Sequence, residues 1–196
     1  SSSHVHKGRS GNRAAFSFAT LGVDCAPDER RHHMDITHEF FPGSIGQIVQ
    51  MHGVHYAKHW GFTSYFEAKV ADQIAKFTQD KRDTDLVLIA RDDQGVAASL
   101  ILDLHDPESG TRGAHLRWFI CADRCRGTGM GRKLMSLAVA HAEAHSNGKM
   151  WLTTFAGLEP ALHLYRSFGF VLHAENEGDV WGTVVNEQEY HRAGNN

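Results

Sequence analysis

Apolar residues recur along the chain with two different periods, and these periods predict a mixed order of helices and strands. The clearest helical pattern runs from Phe62 to Phe77, where an apolar residue returns at every third or fourth position, as on the buried face of an amphipathic helix. A second helix is predicted just before it, from Ser44 as the N-cap to about His59. Gly61 interrupts the pattern between the two helices.

Short apolar or alternating runs predict strands in much of the remaining chain. Residues 85–91 and 96–103 flank the sequence Asp92-Asp93-Gln94-Gly95, which is typical of a hairpin turn. The other predicted strands cover residues 35–41, 114–121, 150–155, 170–174 and 180–185. Two further helices are expected at about 128–145 and 159–168.

The resulting order is strand, two helices, three strands, helix, strand, helix and two strands. Because strands follow one another directly at several points, the order predicts an α/β (α+β) fold with a mostly antiparallel mixed sheet flanked by helices, and not a doubly wound nucleotide-binding fold. We expect this domain to cover residues 34–192. Residues 1–33 are mostly polar with only short apolar fragments, which predicts a disordered leader or extension.

Composition narrows the classes of partner. The 196 residues include 20 Lys and Arg against 23 Asp and Glu, a net charge of −3, which provides no basic field for nucleic acid or a membrane surface. The longest apolar runs have the length of a strand, and no stretch has the pattern of a secretory signal. Three scattered cysteines fit a reduced compartment. We therefore expect a cytoplasmic protein without nucleic-acid or membrane partners.

Histidine is unusually frequent, with 15 copies. His52, His55 and His59 are spaced by three and four residues on a predicted helix, and His141 and His145 are four residues apart. Such spacing can place imidazoles on one helix face, as in zinc sites. No carboxylate or cysteine completes a ligand set beside either group, so we expect no metal.

A glycine-rich turn is the most informative segment. The predicted strand 114–121 leads into a loop with glycines at 127, 129 and 131, inside which a helix begins. Such a turn binds phosphate or pyrophosphate, because its amides converge and the helix start adds partial positive charge. A dinucleotide fingerprint needs Gly or Ala at position 132, and a Walker loop needs Gly-Lys at 132 and 133, but the chain has Arg132-Lys133. A connection without any ligand is the remaining alternative.

Two segments together resemble the GNAT superfamily of acyl-CoA-dependent N-acyltransferases. The family signature Arg/Gln-x-x-Gly-x-Gly/Ala is matched from Arg126 to Gly131, and a helix ending in Leu-Tyr-x-x-x-Gly-Phe is matched from Leu164 to Phe170. The resemblance covers about residues 35–190 and is closest to acetyltransferase domains found alone or behind a winged helix-turn-helix regulator. It implies a GNAT-type fold and transfer of acetyl from acetyl-CoA, the co-substrate, to an amine.

The resemblance also implies how acetyl-CoA is held. The amides of the glycine loop bind the pyrophosphate, and the pantetheine arm pairs with the backbone of the preceding strand. The residues implied are Phe119, Ile120, Cys121, Arg126, Gly127, Thr128, Gly129, Met130, Gly131 and Arg132. Many relatives carry an additional CoA-binding Asn seven residues before the tyrosine, where this chain has Leu158, and Thr153 or Thr154 is the substitute that the sequence offers.

By the same resemblance, the amine attacks the thioester directly in a ternary complex, and Tyr165 is the general acid that protonates the departing thiolate. Transfer through an acyl-cysteine at Cys121 is the disfavoured route. No local pattern identifies the general base. The candidates by residue type are Glu67, Asp103, His115 and Glu159, of which His115 has a suitable intrinsic pKa.

The sequence does not specify the acceptor. The helices over residues 44–78 carry aromatic residues and histidines with few fixed charges, which favours an acceptor that is not strongly ionic. A small molecule, an amino acid and a peptide amine remain open as acceptors. A homodimer is also possible. The alternative function is a catalytically silent acyl-CoA-binding module that serves as a sensor or scaffold.

Overall fold

The computed structural model describes residues 34–195, which form a seven-stranded sheet with helices against both faces. The strands are β1 (Asp35–Thr37), β2 (Leu86–Asp92), β3 (Gly95–Asp103), β4 (Ala114–Cys121), β5 (Met150–Phe155), β6 (Phe170–Gly178) and β7 (Val185–Arg192). The helices are α1 (Ser44–Trp60), α2 (Ser64–Asp80), α3 (Met130–His145) and α4 (Glu159–Ser167). The predicted leader, residues 1–33, lies outside the described residues.

The sheet order is β1-β2-β3-β4-β5-β7-β6, and every pairing is antiparallel except the one between β4 and β5. This confirms the predicted mostly antiparallel sheet and the order of its elements. The hairpin between β2 and β3, in which Asp92 pairs with Gly95, is also as predicted. β4 and β5 run parallel because the chain returns between them through α3.

Two hydrophobic cores lie on the two faces of the sheet, since successive strand residues point to opposite sides. On one face, Leu88 of β2 packs in a cluster with Leu134 of α3 and Leu162 of α4. On the other face, Val87 packs in a cluster with α1 and α2. The residues that these two helices contribute include Ile48, Phe66, Val70, Ile74 and Phe77, which confirms the amphipathic pattern. Among residues 34–195, no helix has the length and apolar character needed to cross a membrane.

Two helix starts differ from the sequence prediction. Ser44 is not the N-cap of α1, because Gly43 takes that position with a left-handed φ of 89°. Ser44 is instead the first helical residue, and its Oγ accepts a hydrogen bond of 3.1 Å from the Phe41 amide. Likewise α3 begins at Met130 and not near residue 128. Gly129, the N-cap, has a φ of 80°, so the right-handed helix does not extend to the residues before it.

The last strand begins at Val185, so the prediction of a strand over residues 180–185 is wrong. The segment instead forms a turn, closed by a hydrogen bond of 2.7 Å from the Gly182 amide to the Asp179 carbonyl. Gly182 has a φ of 79°, which a strand does not allow. Val180 and Val184, which suggested a strand, are exposed because β6 already extends to residue 178 and the turn occupies the gap before β7.

Candidate active site

Strands β4 and β5 separate soon after they meet, and the gap between them is the centre of the candidate site. They pair only at Ala114 with Met150 and at His115 with Trp151. Beyond these pairs β5 continues alongside β7, whereas β4 pairs only with β3. One edge of β4 therefore has no strand partner among the described residues. Such an edge offers backbone hydrogen bonds to an extended ligand.

A β-bulge bends β4 within this gap. Trp118 and Phe119 together oppose the single residue Leu100 of β3, and Trp118 has a φ of 46°, which is rare for a residue other than glycine. The hydroxyl of Ser99 donates a hydrogen bond of 2.8 Å to the Trp118 carbonyl and holds the bulge in place. Because a bulge bends its strand and increases the twist, it helps to carry the end of β4 away from β5.

The loop after β4 contains two sets of amides. The amides that are bonded within the loop are those of Cys125, Arg126, Thr128 and Met130. The amides that have no acceptor among residues 34–195 are those of Gly127, Gly129, Gly131 and Arg132. The second set lies at and just before the N-terminus of α3, where the helix dipole adds positive charge. This arrangement can bind a phosphate or pyrophosphate group.

The three loop glycines suit their positions for two different reasons. Gly127 and Gly129 have φ values of 73° and 80°, in the left-handed region that favours glycine. A Cβ atom at Gly131 would lie 3.4 Å from Cζ of Phe119 and 3.5 Å from Sγ of Cys121, which is ordinary contact distance, so an alanine fits there and a longer side chain would press on these two residues. The structure thus brings the end of β4 directly against the start of α3.

Side chains of the loop shape it and add charge. The Thr128 hydroxyl donates to the Cys125 carbonyl at 2.8 Å and accepts from the Met130 amide at 3.3 Å. Arg126 forms an exposed ion pair of 2.9 Å with Asp123, and the exposed Arg132 lies with its guanidinium 5.4 Å from the ring of Phe168. Both arginines are therefore at the surface beside the free amides.

A cleft of about 810 Å³ lies between strands β4 and β5 and helices α1, α2 and α4. Its lining includes Phe119 of β4, Thr154 of β5 and Tyr165 of α4. Tyr165 is 6% exposed and packs beside Phe119, with ring centroids 6.2 Å apart. Burial, together with the nearby Tyr56 and Cys121, raises the pKa of Tyr165 far above its usual range. Its hydroxyl is therefore protonated at neutral pH and has no hydrogen-bond partner among the described residues.

The structure divides the four candidate bases into two groups. Glu67 and Glu159 are exposed and do not line the cleft. Asp103 and His115 are buried and do line it. Burial raises the pKa of Asp103, whose carboxylate accepts a hydrogen bond of 3.0 Å from the His105 amide.

His115 is held on two sides. Its Nδ1 lies 2.6 Å from Oδ2 of Asp106, and its ring stacks on Trp151 with centroids 3.6 Å apart. Burial lowers the pKa of His115 to about 4, so its imidazole is neutral at pH 7. Although burial alone would raise the pKa of Asp106, hydrogen bonds from His115 and from the Glu108 amide hold it at about 2. Because the carboxylate can only accept, the proton of His115 is on Nδ1, and Nε2 carries the lone pair.

Comparison with known proteins decides the family. Residues 47–170, well over half of the chain, match the Acetyltransferase (GNAT) family. The chain belongs to this family. It is therefore an enzyme of the acetyl-CoA-dependent acyltransferase type, as the sequence motifs predicted. A search of curated protein sequences found no match.

Solved structures share the GNAT fold. A protein assigned as an acetyltransferase from Salmonella typhimurium, solved with its cofactor acetyl-CoA, has a TM-score of 0.60 and 17% identity, and the match covers 81% of this chain and 92% of that one. The ribosomal-protein-alanine N-acetyltransferase from Brucella melitensis has a TM-score of 0.61 and 17% identity, over 80% and 98% of the two chains. A spermidine N-acetyltransferase chimera from Vibrio cholerae and hSSAT has a TM-score of 0.57 and 16% identity, over 81% and 94%.

Three residues of the acetyltransferase cleft were not predicted as site residues. Asp106 lies in an irregular loop and is brought to His115 only by the fold. His52 and Tyr56 line the cleft from α1. The signal for His52 was present in the sequence, because it is a polar residue on the apolar side of a predicted helix. This spacing predicted the helix face on which His52 lies, but it did not predict that His52 lines a cleft.

Leu158, which stands where many relatives have Asn, also lines the cleft of this GNAT protein, as do residues near it. Leu158 packs against both hydrophobic clusters, and Thr153 and Thr154 lie on the neighbouring strand β5. That Thr153 or Thr154 takes the place of this Asn in binding CoA stays a prediction. Cys121 is poorly suited as a nucleophile, because burial raises the pKa of its thiol to about 12.

His52, His55 and His59, which were grouped by their spacing, do not converge on one site. His52 lines the large cleft, whereas His55 and His59 line a separate smaller one, with ring centroids 4.9 Å apart. The rings of His141 and His145 lie side by side in a tilted arrangement, with centroids 4.3 Å apart.

A different group of possible metal ligands lies on β6 and β7. The ligand atoms of His173, Glu189 and His191 lie within 4.8 Å of one another. Oε1 of Glu189 is bonded to Nε2 of His191 at 2.5 Å and to Nη1 of Arg112 at 3.0 Å, and the rings of His173 and His191 stack face to face. Glu189 is thus already paired with Arg112 and hydrogen-bonded to His191.

Proposed function

We propose that this GNAT protein transfers the acetyl group of acetyl-CoA to a primary amine bound in the cleft, by direct attack in a ternary complex. The observation that carries the proposal is the unpaired edge of β4, which leads from the cleft to the free amides at the start of α3. Family membership supports acetyl transfer. An amine acceptor is supported by the names of two proteins of the same fold, which specify N-acetylation of an alanine and of spermidine.

The two ends of the β4 edge fit the two parts of coenzyme A. The pyrophosphate would be bound by the free amides of Gly127, Gly129, Gly131 and Arg132. The pantetheine arm contains amide groups, which would pair with the backbone of residues 119–121. When bound, acetyl-CoA supplies an activated acetyl thioester, whose carbonyl a backbone amide at this edge would polarise.

Tyr165 is assigned as the general acid. Its hydroxyl is protonated and lines the cleft close to Phe119 and Cys121, beside the edge that would hold the pantetheine arm. As the C–S bond breaks, the hydroxyl donates its proton to the sulfur of the departing thiolate. The burial that raises the pKa of Tyr165 also raises that of a thiol in this place, as Cys121 illustrates, so the departing thiolate favours protonation.

His115 is assigned as the general base. The amine nitrogen becomes strongly acidic once its lone pair has formed the new C–N bond, so that a base of low pKa can remove its proton. Nε2 of neutral His115 accepts this proton, and the Asp106 carboxylate stabilises the imidazolium that forms. Asp103, in the same part of the cleft, is the second candidate.

The proposal is tested by incubating the full chain with acetyl-CoA and a panel of primary amines. Release of free CoA thiol, together with an acetylated amine identified by mass spectrometry, is the expected result. Thermal stabilisation by CoA without thiol release on any amine would contradict acetyl transfer and support the silent CoA-binding module. The cytoplasmic location, the absence of nucleic-acid partners and a homodimer stay predictions from the sequence.

A further inference from the structure

His52 is a buried polar side chain whose second nitrogen is unused. The residue lies on α1 and is 5% exposed. Its Nδ1 is 2.8 Å from the carbonyl oxygen of Ile48, four residues earlier on the same helix. Nε2 has no partner among residues 34–195, and the side chain lines the large cleft. Because no fully buried side-chain nitrogen or oxygen among the described residues lacks a partner, Nε2 is accessible from the cleft, where it is suited to bind a ligand.

The hydrogen bond to Ile48 determines which nitrogen of His52 carries the proton. A backbone carbonyl can only accept, so the proton is on Nδ1 and Nε2 presents a lone pair to the cleft. Burial lowers the pKa of His52 to about 4, so the imidazole stays neutral at pH 7. The cleft therefore contains, on its α1 side, a hydrogen-bond acceptor that cannot become a donor.

This tautomer matters for an amine that must attack a carbonyl. A neutral primary amine has two N–H donors and one lone pair. An acceptor such as Nε2 of His52 binds an N–H group and leaves the lone pair free. The opposite tautomer would donate its Nε2–H to the lone pair and so block the attack.

The cleft next to His52 is lined by aromatic side chains. Tyr56, one turn further along α1, contacts the rings of Phe66 and Phe155, with centroids 5.1 and 5.7 Å away. The ring of Trp181 packs on Phe155 at 5.6 Å. We define these four residues as the aromatic wall, and all four line the cleft. Burial raises the pKa of Tyr56 to about 12, so the wall carries no charge at neutral pH.

The cleft also has charged groups away from the aromatic wall. Asp72, Lys76 and Asp80 line it further along α2. Asp103 and Asp106, with Arg117 between them, lie at the end of β3, in the following loop and at the start of β4. The Tyr56 hydroxyl, in contrast, is near enough to Tyr165 to raise the pKa of that acid. The uncharged wall is thus close to the proposed acid.

We propose that Nε2 of His52 accepts a hydrogen bond from the amino group of the acceptor, and that the acceptor is a primary amine with an aromatic or apolar substituent that packs on the aromatic wall. His52 binds and orients the nitrogen and takes up no proton. The proposal rests on the proposed acetyl transfer and adds the acceptor class and the residue that positions it.

The first test compares acceptors and variants in steady-state kinetics. The probes are phenethylamine, putrescine and glutamate, each with acetyl-CoA. We expect the highest kcat/KM for phenethylamine. In His52→Phe we expect its KM to rise about tenfold, the effect of one lost hydrogen bond, with KM for acetyl-CoA unchanged. His163→Phe is the control, because His163 is exposed on α4 and lines neither this cleft nor the smaller one, and it should keep the wild-type KM.

A second test needs neither turnover nor a variant. Long-range 1H–15N NMR spectra of the wild-type histidine side chains report which nitrogen of His52 carries the proton. We expect the Nδ1–H tautomer, and a shift of the Nε2 resonance when phenethylamine is added to the CoA-bound protein. This measurement decides the role of His52 even if His52→Phe does not fold.

The outcomes separate the two proposals. Faster turnover of putrescine or glutamate than of phenethylamine would overturn the acceptor class, and an unchanged KM in folded His52→Phe would overturn the role of His52. No thiol release by the wild type on any amine would refute acetyl transfer. In that case a shifted Nε2 resonance still supports amine binding at His52, and an unshifted one refutes it.

Discussion

Tyr165 and Cys121 share the buried environment beside β4. Burial raises the pKa of both groups, that of the Cys121 thiol to about 12. A thiolate that departs from a thioester at this place is destabilised by the same burial, which favours its protonation by a neighbouring donor. The hydroxyl of Tyr165 is available for that transfer, because no described residue accepts its hydrogen bond.

Replacing Tyr165 by Phe should lower kcat by about 100-fold, the size expected for loss of a general acid. The Kd for CoA, measured by calorimetry, should barely change, because the ring keeps its packing beside Phe119. Tyr65→Phe, at an exposed position of α2, is the control and should leave kcat unchanged. An unaltered kcat in Tyr165→Phe would refute the assignment.

His115→Gln should likewise lower kcat by about 100-fold, because the amide side chain cannot take up a proton. Asp106→Asn should lower kcat to a similar extent, because its amide can donate to Nδ1 and so place the proton of His115 on Nε2, where the base needs its lone pair. Glu67→Gln changes a candidate base that lies outside the cleft and should retain full activity. Steady-state assays of the three variants distinguish these cases. A large loss in Glu67→Gln alone would reverse the choice of base.

At the scale of elements, β4 serves two purposes with its two edges. One edge pairs with β3 and keeps the strand in the sheet, while the other is free beyond His115 and is continuous with the loop of free amides. The bulge at Trp118 and Phe119 lies between the start of β4, which still pairs with β5, and the end of β4, which leads into the loop. A ligand with an extended arm and a charged end can therefore follow β4 to the start of α3 without any side chain being specific for it.

Gly129→Val should raise the Kd for CoA by at least tenfold. Gly129 has a φ of 80°, and a side chain there costs about 1–2 kcal/mol or forces the loop amides to move. Gly46→Val is the matched control, because Gly46 lies in α1 with open space around it. Calorimetric titration with CoA and thermal unfolding measure both effects. Wild-type affinity in Gly129→Val would show that the loop does not bind CoA.

Elements with a long apolar period were well predicted, and the exceptions have local causes. The α2 pattern was correct because its apolar face packs directly on the sheet. The start of α1 and the final strand were misplaced because Gly43 and Gly182 adopt left-handed conformations. A pattern of side chains does not show which glycine will use that freedom, since the choice depends on how the neighbouring elements are joined.

At the scale of the whole molecule, two neutral histidines are buried in one cleft. The pKa values of His52 and His115 are both lowered to about 4, in each case mainly by burial. In the unfolded chain both groups have the ordinary pKa of about 6.5. Between these values the unfolded chain binds more protons than the folded protein, so the free energy of unfolding decreases as the pH falls from 6.5 toward 4.

Urea unfolding should show this loss, which is on the order of 3 kcal/mol for each histidine between pH 6.5 and 4. His52→Phe should retain a weaker pH dependence, because one of the two groups is removed. His59→Phe, at an exposed position, should keep the wild-type slope. Equal slopes in all three proteins would mean that His52 is not held neutral by the fold.

The sequence by itself determined the order of the elements, the sheet class and the glycine loop with its tyrosine, because these depend on local periodicity and on residues close together in the chain. Only the tertiary structure decided which of the candidate bases share a cleft, that Asp106 holds His115, and that His52 presents a free nitrogen there. The physical reason is that burial and hydrogen-bond partners come from segments far apart in sequence. The sequence spacing within α1, within β4 and within the loop that follows β3 does not predict that these three segments will meet.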